Sequence, residues 1–431
     1  MHVKIAYGRT GIDLNRVFRS AEVLVSRVHE QSGEKDEDGL AQAAMARPIG
    51  SPSLRQLAIG KRTATILISD HTRPVPSQHI LPFMLQELRE GNPDIEVTLL
   101  VATGFHRETT PEELISKVGR DIYEQERIVV HDCEDEANCI PIGVLPSGAK
   151  LVMNRLAVET DLLVAEGFIE PHFFSGFSGG RKSAMPGVCS RTTVLGNHCS
   201  RFIDDPHSRA GILEGNLIHR DTMAAAYIAK LQYIVNVILD GEKRVTAAFA
   251  GAFDKAHEEG CRHLSQYCMV APKKRGDIVV TSNGGAPLDQ NVYQAVKGLT
   301  TAEAAAAPGG ILIICATCAD GIGGEGFYQT LKTCEDPAAL LRQIRGVPME
   351  ETQPDQWQYQ ILLRMMEHHR IIFVCEPKIK PLIEDIKLEY APTLEEALDR
   401  AFAEKGEDAH LVIIPDGISV VVAPETAEPE A

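Results

Sequence analysis

Short apolar runs alternate with amphipathic stretches along most of the chain. The runs are rich in Val, Ile and Leu without strict polar alternation, which is typical of parallel strands buried on both faces. The clearest helical patterns cover 355–368 and 393–405, and the second opens with Thr393 and Glu396 in a capping-box arrangement. Strands and helices in alternation predict an α/β fold with mainly parallel sheets flanked by helices. The predicted strands are 63–69, 96–102, 127–131, 161–166, 233–239, 277–281, 310–315, 371–375 and 410–414.

A chain of 431 residues is too long for one compact core, so we expect two domains. The polar stretch 270–276 separates a helical pattern from the strand that begins at Asp277. This stretch predicts an N-terminal α/β domain over 1–270 and a C-terminal α/β domain over 271–423. An acidic tail follows over 424–431.

The chain is strongly acidic, with 60 acidic residues against 43 basic ones and a net charge of -17. Such a field disfavours nucleic acid and anionic membranes as partners. No apolar run approaches the roughly 20 residues that span a bilayer, and the first residues resemble a strand more than a signal peptide, so we expect a cytoplasmic protein. Ten cysteines are too few for a disulfide scaffold. Cys315 and Cys318 end an apolar run, which favours core thiols over a redox or zinc pair.

Polar segments follow three of the predicted strands, at the positions where open α/β sheets bind ligands. Asp70 and Arg73 follow the strand 63–69, and His106 follows 96–102. Arg73 has a planar group suited to a carboxylate or phosphate, although an Arg–Asp pair closing a turn explains the same residues. A single histidine at a strand end is most often a structural donor. These two segments are therefore ambiguous when taken alone.

The third polar segment runs from Glu166 through His172 to Lys182 and is rich in glycine and serine. Glycines and serines before a lysine can form a nest of backbone N–H groups around an anion. The segment is not a Walker A loop, because Arg181 stands where that loop has glycine. Pro186 would also interrupt the helix that such a loop requires.

Further candidates are a loop histidine, His198, and a group in the predicted C-terminal domain. An imidazole is a good nickel ligand, but a loop histidine is more often structural. Tyr293 and Lys297 lie four residues apart and share a face if this part is helical, with Gln294 beside them. Trp357, the one tryptophan, suits either core packing or a pocket wall.

Together these motifs resemble the nickel-dependent lactate racemase family, whose members racemise or epimerise 2-hydroxy acids. The resemblance covers nearly the whole chain, and the order and spacing of the motifs agree. The motifs are Asp70-His-Thr-Arg73-Pro, Thr103-Gly-Phe-His106, Glu170-Pro-His172, Ser178-Gly-Gly-Arg-Lys182, Gly196-Asn-His198, Tyr293-Gln294-Ala-Val-Lys297 and Asp355-Gln-Trp357-Gln.

The resemblance implies two cofactor components, nickel and a pyridinium-3-thioamide-5-thiocarboxylic acid mononucleotide attached covalently to Lys182. The pincer nucleotide gives nickel its sulfur, carbon and sulfur donors, and His198 is the implied fourth ligand, a set that suits square-planar nickel. Attachment needs cofactor-biosynthesis proteins as partners, so protein from an ordinary expression host can have a bare Lys182. The other residues implied to bind the cofactor are Ser178, Gly179, Gly180 and Thr72.

The same resemblance implies that the chain is an isomerase whose small-molecule partner is a 2-hydroxy acid. His106 and His172 are the implied acid/base pair, because mirror-image hydroxyl groups each need a proton acceptor. The alpha hydrogen is implied to leave as hydride, since a carboxylate stabilises a neighbouring carbanion poorly. Arg73 and Lys297 are expected to hold the substrate carboxylate or the developing charge on the oxo group. Asp70 is expected to orient Arg73 or the histidine next to it in the sequence. Tyr293, Gln294 and Trp357 would line the pocket in a cleft between the domains.

Two other functions stay open at this stage. One is a non-nickel enzyme that uses Lys182 for a Schiff base or a phosphorylated substrate. The other is a non-catalytic protein that binds a hydroxy acid or a nucleotide. Arg181 and Arg201 could hold a second substrate carboxylate, although structural salt bridges explain them as well.

Overall fold

The computed structural model describes residues 2–31 and 36–423, and the predicted acidic tail 424–431 lies outside this range. The chain forms two compact units. The Lys182 unit comprises 27–198 and 207–267, and the Lys297 unit comprises 2–26, 199–206 and 268–423. The domains predicted from the sequence are each continuous, whereas both of these units are made of separate stretches of chain.

The strands, numbered in chain order, include short hairpins besides the strands of two large sheets. They are β1 (His2–Ile5), β2 (Ile12–Asn15), β3 (Ala21–Val23), β4 (Thr63–Ser69), β5 (Glu96–Ala102), β6 (Arg127–Val130), β7 (Cys139–Val144), β8 (Lys150–Asn154), β9 (Leu162–Phe168), β10 (Pro171–His172), β11 (Gly176–Phe177), β12 (Leu231–Leu239), β13 (Val245–Gly251), β14 (Met269–Val270), β15 (Gly276–Ser282), β16 (Ala306–Cys315), β17 (Arg370–Val374), β18 (Glu389–Ala391), β19 (Leu411–Ile414) and β20 (Val421–Val422).

The α-helices lie between these strands. They are α1 (Glu37–Met45), α2 (Leu54–Ala58), α3 (Leu81–Gly91), α4 (Pro111–Val118), α5 (Arg120–Gln125), α6 (Arg155–Val158), α7 (Arg191–Asn197), α8 (Ser200–Asp204), α9 (Leu217–Ile228), α10 (Phe253–Cys268), α11 (Val292–Ala305), α12 (Glu325–Thr333), α13 (Pro337–Arg345), α14 (Gln356–His368), α15 (Lys380–Asp385) and α16 (Leu394–Lys405).

The Lys182 unit has a six-stranded sheet in the order β13-β12-β9-β4-β5-β6. All neighbours are parallel except β12 and β13, which form an antiparallel edge. Apolar side chains of the central strands, such as Ile66, Leu99 and Val164, are fully buried. The chain proceeds outwards from β4 in both directions, so the carboxyl ends of β9, β4 and β5 adjoin a switch point where such sheets bind ligands.

The Lys297 unit has a six-stranded sheet that is parallel throughout, in the order β18-β17-β16-β15-β19-β3. Its central strands are continuous apolar runs because both faces are covered. The short strand β3 pairs with β19, which places residues 21–23 beside residues 411–413. This pairing explains why the residues near the N-terminus belong with the C-terminal part of the chain.

The structure confirms the predicted α/β class and all nine predicted strands, with ends that differ by at most four residues. Helix α16 begins after Thr393, whose hydroxyl accepts the Glu396 N–H at 3.2 Å. Cys315 and Cys318 are buried free thiols whose pKa is raised by burial, as expected for core cysteines. Within residues 2–31 and 36–423, none of the helices has the length and apolar character needed to cross a bilayer.

Candidate active site

Three polar segments of the Lys182 unit begin at the carboxyl ends of adjacent parallel strands. Asp70 directly follows β4, His106 lies four residues after β5, and His172 lies four residues after β9. Strands β9, β4 and β5 are neighbours in the sheet, so these ends share one edge. The sheet therefore brings together three segments that the sequence singled out separately.

Asp70 and His106 form a short hydrogen-bonded pair. The His106 Nδ1 lies 2.5 Å from Asp70 Oδ2, and the Thr72 hydroxyl donates to Asp70 Oδ1 at 2.6 Å. Asp70 is 1% exposed, whereas the His106 side chain is 40% exposed. Because a carboxylate only accepts hydrogen bonds, the His106 Nδ1 carries a proton and the lone pair of the neutral ring lies on Nε2. This arrangement is suited to a general base.

The charges around Asp70 keep its carboxyl group ionised. Burial alone would raise its pKa, but the hydrogen bond and charge of His106, with smaller contributions from Arg73 and Thr72, lower the pKa to about 2. Asp70 is thus a permanent negative charge at neutral pH. The ionised carboxylate is therefore a fixed acceptor for the His106 Nδ1–H.

His172 has a different hydrogen-bonding environment. It ends the short hairpin strand β10, which pairs with β11. The Ser175 N–H donates to its Nδ1 at 3.3 Å, so the proton of the neutral ring lies on Nε2. The ring stacks on Phe173 with 5.1 Å between centroids. His106 and His172 therefore favour opposite tautomers.

One aromatic ring, that of Phe174, contacts three of the predicted site residues. The centroid of the His172 ring lies 4.6 Å from that of Phe174, and the centroid of His198 lies 5.2 Å from it, both edge-on. The Lys182 ammonium lies 5.8 Å from the same centroid. His172, Lys182 and His198 are thereby gathered in one neighbourhood. Phe174 was not among the residues predicted from the sequence, because its side chain has no polar group that would mark it as a candidate.

His198 directly follows α7 and is buried. Its Nδ1 lies 2.9 Å from the Val194 carbonyl oxygen and donates to it. Burial, and then the nearby charge of Lys182, lower the pKa of His198 to about 3, so the ring is neutral at pH 7. A neutral imidazole with one N–H fixed by a carbonyl has the form of a metal-ligating histidine.

Lys182 lies in a single 3-10 turn, Gly180–Ser183, and not at the start of an α-helix. Asn236 accepts the Gly180 N–H at 2.7 Å, and a Cβ at Gly180 would lie 2.7 Å from the His257 ring. The N–H groups of Ser178 and Lys182 also donate to oxygen atoms of the protein. Glycine therefore permits close packing here, and these three positions do not supply the nest of backbone donors predicted from the glycine content.

Arg73 lies on the turn that follows β4. Its backbone N–H donates to the Asp70 carbonyl oxygen at 3.2 Å, and its guanidinium donates to the Thr72 hydroxyl at 3.2 Å. The Asp70 carboxylate binds Thr72 and His106 instead. The alternative of an Arg–Asp ion pair that closes this turn is therefore not what holds it, and the guanidinium lies beside the Asp70–His106 pair.

Arg181 has a structural role, but it binds neutral groups and forms no salt bridge among the residues that the structure describes. It is fully buried and donates to the carbonyl oxygens of Ser175 and Phe177, at 2.9 and 2.8 Å, and to His257 Nε2 at 2.9 Å. The salt bridge considered for it from the sequence is replaced by these bonds to neutral groups. Arg201 is exposed and lies over the Phe202 ring.

The remaining candidates lie together in the Lys297 unit. Tyr293, Gln294 and Lys297 occupy the first turns of α11, which begins at Val292, and all three are half-buried. Trp357 lies in the first turn of α14. The two helices are joined where the Gln358 amide donates to the Tyr293 carbonyl oxygen at 2.5 Å. The structure thus brings these four residues onto two adjoining helices.

Sequence reasoning gave no role to two charged residues under the Asp70 turn, Lys117 and Glu166, although Glu166 begins the third polar segment. Glu166 is fully buried within the apolar strand β9, and a charge inside such a strand was the signal that could have identified it. Lys117 lies on the amphipathic helix α4, where nothing in the sequence distinguishes it from a solvated lysine. Among the residues that the structure describes, no three His, Cys, Asp or Glu side chains form a group able to hold a metal ion.

Two family models match the chain. The model of the lactate racemase N-terminal domain matches residues 7–211, and the model of the lactate racemase C-terminal domain matches residues 271–422. Together these two matches include every motif that the sequence analysis singled out.

Two curated relatives resemble the chain over nearly their whole length, and both are named lactate racemase. The one from Thermoanaerobacterium thermosaccharolyticum is 47% identical over 422 residues, which are 98% of this chain and 99% of that protein. The one from Lactiplantibacillus plantarum is 46% identical over 399 residues, or 93% of this chain and 94% of that protein.

Two solved structures are also similar. The lactate racemase apoprotein from Thermoanaerobacterium thermosaccharolyticum superposes with a TM-score of 0.94 at 46% identity, covering 98% of this chain and 100% of that one. A protein from Thermotoga maritima gives a TM-score of 0.64 at 19% identity, covering 90% of this chain and 97% of that one. The second likeness concerns the fold alone.

Proposed function

The chain belongs to the lactate racemase family and is an isomerase, and on that basis we propose that it racemises or epimerises a small 2-hydroxy acid. His106 and His172 are the proposed acid/base pair, Lys182 the attachment site of a pincer nucleotide, and His198 the protein ligand of nickel. The observation that carries the proposal is the presence of two imidazoles with opposite tautomers at one edge of a parallel sheet.

The residues around Lys182 fit the nickel-bearing nucleotide that the family resemblance implies. Metal binding requires a deprotonated imidazole, and His198 is neutral at pH 7 because burial lowers its pKa to about 3. Its Nδ1 donates to the Val194 carbonyl oxygen, which leaves Nε2 as the nitrogen with the lone pair. Lys182 lies near enough for its charge to affect the His198 ring. One lysine and one imidazole thus lie close enough together to hold a single group.

The protein side of the proposed reaction is proton exchange at the substrate hydroxyl. His106 Nε2 accepts the hydroxyl proton of one enantiomer, and the Asp70 carboxylate stabilises the imidazolium that forms. To serve the other enantiomer as a base, His172 must carry its ring proton on Nδ1 and not on Nε2, which gives up the 3.3 Å hydrogen bond from the Ser175 N–H. When bound, the nickel-bearing nucleotide supplies a reversible acceptor for the alpha hydrogen and its bonding electrons.

Arg73 is the proposed partner of the substrate carboxylate in the Lys182 unit. Its guanidinium lies beside Asp70 and His106, and its planar fork can bind both carboxylate oxygens. In a chain of net charge -17 an anionic substrate needs such a local cation. Lys297, Tyr293, Gln294 and Trp357 stay predictions for the substrate pocket.

The proposal is tested by a racemisation screen with several 2-hydroxy acids, lactate among them. The protein is co-expressed with the cofactor-building enzymes in medium containing nickel, and the enantiomeric composition is followed by chiral chromatography. We expect at least one acid to approach equal amounts of both enantiomers. In deuterated solvent we expect little deuterium at the alpha carbon, because the hydrogen does not leave as a proton.

Two controls separate this proposal from the other uses of Lys182. The intact mass of the co-expressed protein should exceed the sequence mass, and Lys182→Ala should remove both the added mass and the activity. His172→Ala should remove the activity while the added mass remains. A bare Lys182 in active protein, or extensive deuterium incorporation, would contradict the proposed chemistry.

A further inference from the structure

The segment of residues 69–77 carries Asp70, Thr72 and Arg73. Only its first residue, Ser69, belongs to a strand, and only its last residue, Ser77, belongs to a helical turn. The backbone N–H groups of Thr72, Arg73 and Ser77 bond within the segment, and Pro74 and Pro76 have no N–H group to donate. Its position beside His106 therefore has to be fixed by groups outside it. The fully buried Glu166 and the half-buried Lys117 supply these bonds.

Glu166 binds both ends of the segment. Its Oε1 accepts the Ser69 N–H at 2.9 Å, and its Oε2 accepts the Ser77 hydroxyl at 3.1 Å. Glu166 and Ser77 are both fully buried. One carboxylate in the sheet thus holds the residue before Asp70 and the residue that ends the segment.

Lys117 binds the middle of the segment from α4. Its ammonium donates to the Arg73 carbonyl oxygen at 3.2 Å and to the Val75 carbonyl oxygen at 3.5 Å. The backbone on each side of Pro74 is therefore held by a single charged donor. Charged donors form the stronger class of hydrogen bond.

The two charges also support one another. Burial lowers the pKa of Lys117, and the negative charges of Glu166 and Asp70 oppose this effect. Burial raises the pKa of Glu166, and the charge of Lys117 opposes it. An apolar residue at position 166 would avoid the cost of burying a charge, but it could not accept hydrogen bonds from Ser69 and Ser77.

We infer that Lys117 and Glu166 are positioning residues that hold the 69–77 segment, and with it Asp70 and Arg73, in the arrangement that the reaction requires. The catalytic part of the inference, that the reaction requires this arrangement, rests on the proposed function. The mechanical part, that the two residues hold the segment in place, concerns the segment alone and has its own measurement.

The mechanical part is tested by hydrogen exchange of the full chain, followed by mass spectrometry. Lys117→Met should speed exchange in a peptide covering 69–77 by about tenfold, because a charged hydrogen bond is lost. A peptide covering β12 should be unchanged. Lys255→Met, an exposed lysine on α10, is the matched control and should leave both peptides as in the wild type.

The catalytic part is tested by steady-state kinetics of the loaded enzyme. A displacement of about 1 Å can lower a rate roughly 100-fold, so Lys117→Met should lower kcat by about that factor and raise KM, because Arg73 moves with Asp70. Glu166→Gln keeps the side-chain shape and one acceptor and should have a smaller effect of the same kind. Lys117→Arg retains a charged donor and should recover part of the lost rate.

Each outcome bears on one part of the inference. Unchanged exchange in 69–77 for both Lys117→Met and Glu166→Gln overturns it, whatever the activity. Faster exchange with wild-type kcat and KM overturns the positioning role. If the wild type changes the composition of no 2-hydroxy acid, the proposed function fails, and the exchange result alone then decides whether the two residues hold the segment.

Discussion

The two histidines at the sheet edge differ in the partner of Nδ1, and this single atom sets what each ring can do. Asp70 accepts from His106, whereas Ser175 donates to His172. A carboxylate stabilises an imidazolium, but a backbone N–H cannot bind a nitrogen that is already protonated. The proposed reaction treats two mirror-image substrates alike, whereas the two histidine rings that serve them have different hydrogen-bond partners.

Asp70→Asn should therefore be a severe change. The amide N–H in place of a carboxylate oxygen favours the wrong His106 tautomer and removes the charge that stabilises the imidazolium. We expect kcat to fall by about 10²- to 10⁴-fold, measured as initial rates from each enantiomer. For a racemase kcat/KM must fall equally in both directions, because enantiomers have the same free energy, while kcat and KM can change unequally.

The matched control is Asp94→Asn, at an exposed aspartate in the loop before β5. It should retain the wild-type rates. A rate within a factor of about two of the wild type for Asp70→Asn would show that His106 does not depend on the carboxylate, and the proposed role of the pair would have to be abandoned.

The sequence was a good guide to which residues gather at the site and a poor guide to how they are held. Polar residues at the ends of buried strands must meet at one edge of a parallel sheet, so Asp70, His106 and His172 were predictable. The bonds of Lys117 and Glu166 depend on tertiary packing between distant segments. No periodicity in a single sequence indicates such contacts.

At the scale of elements, the segment between β10 and the Lys182 turn is organised around the buried Arg181. Its guanidinium binds successive carbonyl oxygens of the chain that loops around it. Strand and helix assignments succeeded because long apolar runs have few alternatives. The antiparallel strand β13 was missed because its sequence, Val-Thr-Ala-Ala-Phe-Ala-Gly, is short and rich in small residues with no clear period.

Arg181→Met should destabilise the protein by on the order of 3 kcal/mol. The substitution preserves bulk but removes the buried hydrogen bonds from the guanidinium to the Phe177 and Ser175 carbonyl oxygens, and Ser175 keeps only the bond from the Phe177 N–H. Urea unfolding of the full chain without cofactor measures the change. Arg201→Met, at an exposed arginine, should change the stability by less than about 0.5 kcal/mol. Equal stabilities of the two variants would mean that the loop does not depend on the buried guanidinium.

At the scale of the whole molecule, histidines held neutral in the interior make the fold sensitive to acid. Burial, and then the charge of Arg181, lower the pKa of His219 to about 3 and lower that of His257 as well. The unfolded chain protonates such rings below about pH 6.5, whereas the folded chain resists protonation. Stability is therefore lost as the pH falls from about 6.5 towards 3.

His219→Gln should reduce this loss. Between pH 7.5 and pH 5 the stability of the variant relative to the wild type should rise by about 1–2 kcal/mol, after allowance for partial exposure of the ring. Urea unfolding of the cofactor-free protein at both pH values measures it. Thr222→Ser, a neighbour that does not titrate, should shift the stability equally at both. A constant difference between His219→Gln and the wild type would contradict the assigned shift.

The pairing of β3 with β19 determines which part of the nascent chain must be completed last before its sheet can form. The Lys182 unit ends at residue 267, so all of it is synthesised before the ribosome translates most of the sheet of the Lys297 unit. Residues 21–23 must wait for residues 411–413, a delay of roughly 20–80 s at ordinary elongation rates. Modifying enzymes that recognise the Lys182 unit alone would thus find their target before synthesis ends.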